Sequence, residues 1–160
     1  MDAKVLLCDF AEVSGGKLFI SGAGISMLAS NTDAPPYPVN IFLAVLVSIA
    51  WTETDSKHLM TIELVSEADG SQRRVLLSDQ LPEEADPADQ GMIAVVFTAV
   101  RMPTMIDGDE SAMPLAIPLF GLPLPAPGPY FFSVRIDGRE MDRASFRLVS
   151  REQMQAQLGG

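Results

Sequence analysis

Residues 127–149, PGPYFFSVRIDGREMDRASFRLV, decide how the rest of the chain is read. Tyr130, Phe132, Val134 and Ile136 alternate with Ser133, Arg135 and Asp137, the period of two that a half-buried strand requires. Asp137-Gly138 then supplies the two-residue turn, since tight hairpin turns need residues that tolerate positive φ. Ala144, Phe146 and Leu148 alternate in turn with Ser145 and Arg147. Two strands with matching alternation and a two-residue link make an antiparallel hairpin.

The same punctuation recurs upstream. Val5-Leu6-Leu7-Cys8 opens a strand running to about Phe10, and Ser14-Gly15-Gly16 returns the chain into Lys17–Ser21. Gly22 and Gly24 kink it before Ile25–Leu28, and three prolines make residues 29–38 a loop. Val39–Trp51 is apolar on both faces at Ile41, Phe42, Leu43, Val45, Leu46, Val47 and Ile49. That pattern predicts a central strand, or one whose outer face is covered by another subunit. His58, Met60, Ile62 and Leu64 alternate with Lys57, Thr61 and Glu63 in the next strand, which is expected to be half-buried, followed by short strands over 73–78 and 92–102. Leu115, Ile117 and Leu119 lie on a proline-spaced edge segment after a loop at 103–113. About nine short strands and no long helix predict an all-β domain over 1–150, a two-sheet antiparallel β-sandwich. A short C-terminal helix or tail occupies 151–160, where Ser150 and Gln153 form a capping box and Met154 and Leu158 share a face. Gly159-Gly160 reads as its stop rather than as a modifier-type terminus.

Composition narrows the function classes. With 160 residues the chain can bury an ample core without disulfides or metals, and a 48% hydrophobic, 20% charged composition is that of a globular protein. A net charge of −10 disfavours a nucleic-acid partner, because a phosphate backbone repels such a surface. The basic cluster Arg135, Arg139, Arg143, Arg147 and Arg151 is expected to be spent on neighbouring carboxylates, notably at Arg135 and Arg147. One cysteine, Cys8, excludes an internal disulfide and suits a reducing compartment. The N-terminus is no secretory signal, and the 13 residues of Val39–Trp51 are too few to span a membrane, which takes about 20. A cytoplasmic, membrane-free protein is expected.

Candidate chemistry is sparse. His58 is the single histidine, so with one cysteine it cannot build a zinc site, and a Cys8–His58 dyad is conceivable. Cys8 on a strand reads instead as a small buried hydrophobe. Gly22-Ala23-Gly24 lacks the third glycine and the helix of a dinucleotide fingerprint. Catalytic, cofactor and metal residues are therefore assigned to none, and no cofactor is expected. Acidic loops offer calcium as the alternative. Strand reversal predicts Glu12, Glu53, Asp55, Asp79, Glu83, Glu84, Asp86 and Asp89 at one end, with Asp69, Asp107, Asp109 and Glu110 at the other. Met102, Met105 and Met113 flank the acidic loop 103–112 and fit either an adaptable contact surface or packing beneath the loop.

Leu124-Pro125-Ala126-Pro127-Gly128-Pro129-Tyr130 resembles the corner of immunoglobulin-like and fibronectin-like sandwiches, where a phenol bonds nearby backbone. The acidic loop ends resemble those of C2-type sandwiches. Val5-Leu6-Leu7-Cys8-Asp9-Phe10, Gly16-Lys17-Leu18-Phe19-Ile20-Ser21-Gly22 and the hairpin 127–138 together resemble an uncharacterised family of small bacterial and actinophage proteins. That resemblance implies a β-sandwich of unknown function and carries no catalytic residues. The expected function is a non-enzymatic one, exercised through a protein partner or self-association as an oligomeric or accessory subunit. The alternative is a small-ligand or calcium-binding module.

Overall fold

The computed structural model describes residues 1–158, which run through eleven strands and one helix. The strands are β1 (Asp2–Cys8), β2 (Phe10–Ser14), β3 (Lys17–Ser21), β4 (Met27–Ala29), β5 (Tyr37–Ala50), β6 (Lys57–Ser66), β7 (Arg73–Val75), β8 (Ile93–Thr98), β9 (Glu110–Leu124), β10 (Gly128–Ile136) and β11 (Arg139–Val149). Helix α1 (Arg151–Leu158) follows. A small sheet has the order β1-β5-β9, and a large one the order β4-β11-β10-β6-β7 with β8 also on β6. Strands β2 and β3 form a separate hairpin.

The expected hairpin is present as β10 and β11, paired from Gly128↔Leu148 to Ile136↔Arg139 with a register shift between Val134 and Arg135. Asp137 (φ 51°) and Gly138 (φ 78°) both take positive φ, the conformation the Asp-Gly pair suits. Strand β5 is central in its sheet, as its two-sided apolarity predicts. Alternate residues of β1, β5 and β9 face those of β6, β10 and β11 across one core, with Leu43, Val45, Ile62, Leu64, Phe132 and Val134 inaccessible to solvent.

The fold is mostly β with a short terminal helix, but its mixed sheets curl into a half-barrel rather than two clean layers. Three local features explain the difference. Strand β4 pairs parallel to β11. The chain breaks at Asp9, so β2 and β3 leave the sheet and fold over its outer face. Strands β7 and β8 lie one after the other along the same side of β6, β7 against Leu64–Ser66 and β8 against Lys57–Ile62. They act as one interrupted strand running in one direction.

Strand β9 is longer than expected. It begins at Glu110, inside the predicted loop, and pairs with β5 from Ala50↔Glu110 to Tyr37↔Leu124. Its prolines hide it in the sequence, yet an edge strand needs donors on one side only. Pro114 and Pro118 are four apart and share that free side. The register shift opposite Asn40 moves the parity by one, which puts Pro123 there too.

The capping box at α1 is formed as predicted: Gln153 N–H donates to Ser150 Oγ (3.2 Å) and Ser150 N–H to Gln153 Oε1 (3.0 Å). The stop expected at Gly159-Gly160 and the packing expected of Leu158 lie outside the described residues.

The corner before β10 is tied by Tyr130. Its phenol donates to Ala126 O (2.5 Å) and accepts from Ala126 N–H (3.2 Å), while its ring stacks on Phe146 with centroids 5.4 Å apart. A Cβ on Gly128 (φ 141°) would stand 2.8 Å from Ala68 Cα. Tyr130→Phe should therefore cost about 1–3 kcal/mol in urea unfolding, because it strands both polar groups of Ala126. Gly128→Ala should also destabilise, whereas Leu76→Ala, at a 62% exposed site, should stay within about 0.5 kcal/mol. A Tyr130→Phe midpoint equal to wild type would show that the phenol does not hold the corner.

Candidate functional site

Two surfaces stand out, one on the outer side of each main sheet. On the large sheet, β6 buries Thr61, Glu63 and Val65 away from the core, and β10 buries Phe131 and Ser133 beside them. A lone carboxylate is costly to desolvate, and it survives burial when paired and hydrogen-bonded. Glu63 has two guanidiniums around it. Arg135 of β10 forms an ion pair with Glu63 Oε1 at 2.7 Å, and Arg74 of β7 lies 3.4 Å from Oε2. Arg74 also donates to Ala88 O (2.7 Å) and Gln90 O (3.2 Å), which fastens the loop 76–92 along the sheet edge.

Arg143 of β11 completes the group. Its guanidinium lies 4.4 Å from the Phe131 ring centroid and donates Nε–H to Glu140 (2.7 Å), whose other oxygen accepts from buried Ser133 (2.8 Å). The bond to Arg143 holds the Glu140 carboxyl below its ordinary pKa, and the same bond raises that of Arg143. Arg74, Arg135 and Arg143 surround a cleft of about 310 Å³ with Glu63 at its base and Val65, Gln72 and Phe131 in its walls. Arg135 is paired as the sequence led one to expect; Arg147 makes no ion pair among the described residues.

On the small sheet, the β2–β3 hairpin covers only the middle of the outer face. Ala11 and Leu18 sit on Cys8, Ala44, Phe42 and Ala116. Around that cover a row of aromatic rings runs from Phe10 to Phe42 (centroids 5.3 Å apart) and on to Phe120 (5.4 Å, edge to face). Phe10 is 47% exposed and Phe120 68%. Leu6, Leu46, Phe19 and Ile20 are exposed on the same side.

The acidic loops are arranged differently from the expectation. Because β7 and β8 do not reverse between them, every later loop changes ends. Trp51 N–H donates to Asp109 O (3.0 Å) and Asp55 N–H to Ala99 O (2.8 Å), so the loop 99–109 lies beside Glu53 and Asp55. Asp69 is at the opposite end, pairing with Arg73 (2.8 Å). The segment 79–91 runs along the sheet edge, with Glu84 on Lys57 (3.0 Å) and Asp86 and Asp89 capping a short 3-10 turn at Pro87–Asp89. Among the described residues no group of three or more His, Cys, Asp or Glu is placed to hold a metal. Met113 packs against the core while Met102 is 58% exposed.

Cys8 and His58 are not brought together. Cys8 is buried beneath the β2–β3 hairpin, where desolvation pushes its thiol pKa up. His58 sits at the end of the other sheet. Its Nδ1 bonds Asp137 Oδ2 (2.8 Å) and its Nε2 the Glu53 carbonyl (2.9 Å). Burial presses the imidazole pKa down, but the bonds to Asp137 and Glu53 and the charges of both outweigh it, so the net shift is upward. Burial likewise raises the Asp137 carboxyl, and the bonds from His58 and Leu59 N–H bring it net below its ordinary range.

No helix of the described residues is long and apolar enough to cross a membrane. These features define a mostly-β domain with two differently built surfaces, in which Cys8 and His58 stand apart. The chain belongs to DUF6941, a family of unknown function, whose match covers residues 4–149, from β1 to the last residue of β11. The resemblance of its opening strand, glycine-lysine hairpin and terminal hairpin to an uncharacterised family is thereby confirmed. No curated protein matches the chain. Among solved structures it is similar to the Pseudomonas fluorescens alkylpurine DNA glycosylase AlkC bound to DNA containing an abasic site analog, at 13% identity and a TM-score of 0.35. That likeness covers 90% of this chain and 30% of the glycosylase chain, and is too slight to carry an argument.

The His58–Asp137 pair sets a pH dependence. A histidine pKa raised on folding adds stability that is complete below roughly pH 6.5 and lost as pH rises through the folded value. The lowered Asp137 adds stability that is present above roughly pH 4 and lost in acid. The melting temperature should therefore decline from about pH 6.5 to 8, and His58→Gln should flatten that decline. An equal slope in both proteins would remove His58 from the account.

Proposed function

We propose that this protein is a non-enzymatic, cytoplasmic β-domain, a relaxed relative of immunoglobulin-like or C2-like sandwiches, that works through protein contacts and first of all through self-association. The observation that carries this reading is the aromatic row on the outer face of the small sheet, with Phe10 and Phe120 exposed on either side of the half-buried Phe42. Aromatic rings dominate interface energetics, and large apolar groups clustered on one face mark contact sites, whereas isolated ones need no explanation. Among the described residues, seven of the twelve exposed large apolar side chains lie on this sheet face or its hairpin, so the exposure is concentrated rather than scattered. The edge beside it is blunted by Pro114 and Pro118, which favours face-to-face packing over strand addition.

Sedimentation velocity tests this directly. The protein should sediment as a dimer or larger species at tens of micromolar, and Phe10→Ser with Phe120→Ser should shift it to monomer with unchanged far-UV circular dichroism. A wild-type protein that stays monomeric at the highest soluble concentration would overturn the self-association reading.

A further inference from the structure

We propose that the cleft formed by Arg74, Arg135 and Arg143 on the large sheet is a binding site for a small organic oxyanion, a carboxylate or a phosphate monoester. The chain carries a net charge of −10, so three guanidiniums around one cleft run against its overall balance. Glu63 and Glu140 pair with them, and Glu67 bonds Gln72 in the cleft wall, so the carboxylates balance the three guanidiniums and what the site offers an anion is free N–H donors.

The three arginines have different roles. Arg74 is spent on Glu63 and the carbonyls of Ala88 and Gln90, so it serves as a wall. Arg135 meets only Glu63, as an ion pair through Nη2, and Arg143 gives only its Nε–H to Glu140, among the described residues. Their remaining guanidinium N–H groups have no described protein acceptor, and both side chains line the cleft. A guanidinium fork matches the two oxygens of a carboxylate or phosphate. Glu63 pairs with Arg135, and the Phe131 ring lies 4.4 Å from the Arg143 guanidinium, contacts that lower the cost of ordering both side chains for an anion. The volume of about 310 Å³ falls at the lower limit of small-molecule sites, and Val65 and Phe131 provide an apolar wall for the organic part.

Arginine side-chain NMR tests this site on the intact protein. Nε–H resonances of Arg135 and Arg143 are followed while inorganic phosphate or benzoate is added at constant ionic strength, with chloride as control. Saturable shifts at both arginines with either probe, and their loss at Arg135 in Arg143→Gln, are the expected result. Saturation with phosphate alone assigns a phosphoryl ligand, and with benzoate alone a carboxylate. Shifts that fail to saturate with both probes, that chloride reproduces, or that persist at Arg135 in Arg143→Gln would overturn the proposal. Arg151→Gln, on the helix after the β-domain, should leave the titration unchanged.

Discussion

Strands β5, β6 and β10 are each flanked on both sides within their sheets, and much of their outer surface is covered as well as their inner surface. The inner faces find each other across one core. The outer faces must be covered by something else, and the two sheets solve this by opposite means. On the large sheet, arginines and a buried carboxylate close the surface: Arg74, cross-strand from Val65, and Arg135, cross-strand from Thr61, neutralise Glu63 between them. On the small sheet the β2–β3 hairpin covers Ala44 and Ala116 but leaves the aromatic row beside it exposed.

This difference explains why the two surfaces suggest different uses. A face closed by charge-assisted bonds keeps residual guanidinium N–H donors, which suit a small anion. A face closed by a narrow hairpin keeps apolar area, and apolar area is stabilised most by a second protein surface. The corner at Tyr130 and Gly128 stands apart from both. It aligns β10, the strand that carries Phe131 and Arg135 outward and Phe132 and Val134 inward, and so fixes the geometry of the cleft without contributing to it.

Much of this fold was legible because it rests on local rules. The Asp137-Gly138 hairpin, the tyrosine corner, the centrality of Val39–Trp51 and the Ser150–Gln153 capping box each depend on a few neighbouring residues, and each stands in the structure. Strand β9 was obscured because Pro114, Pro118 and Pro123 look like strand breakers until it is known which side of the strand is free. The ends of the molecule were interchanged for the later loops because β7 and β8 read as two reversals, though both lie along one side of β6. Glu63 looked like an ordinary solvent-facing residue of an alternating strand. Only cross-strand register, which sequence period does not contain, reveals that Arg74 and Arg135 meet there and that Phe120 meets Phe42.

The central claim is that the outer face of the small sheet is covered by another copy of the chain in solution. Hydrogen–deuterium exchange measured on dilute and concentrated protein addresses that claim at the level of segments. Amides of 10–21 and 116–121 should gain protection as concentration rises, while those of 60–66 and 130–136 stay constant. Exchange independent of concentration at 10–21 and 116–121, or new protection confined to β8, would contradict it.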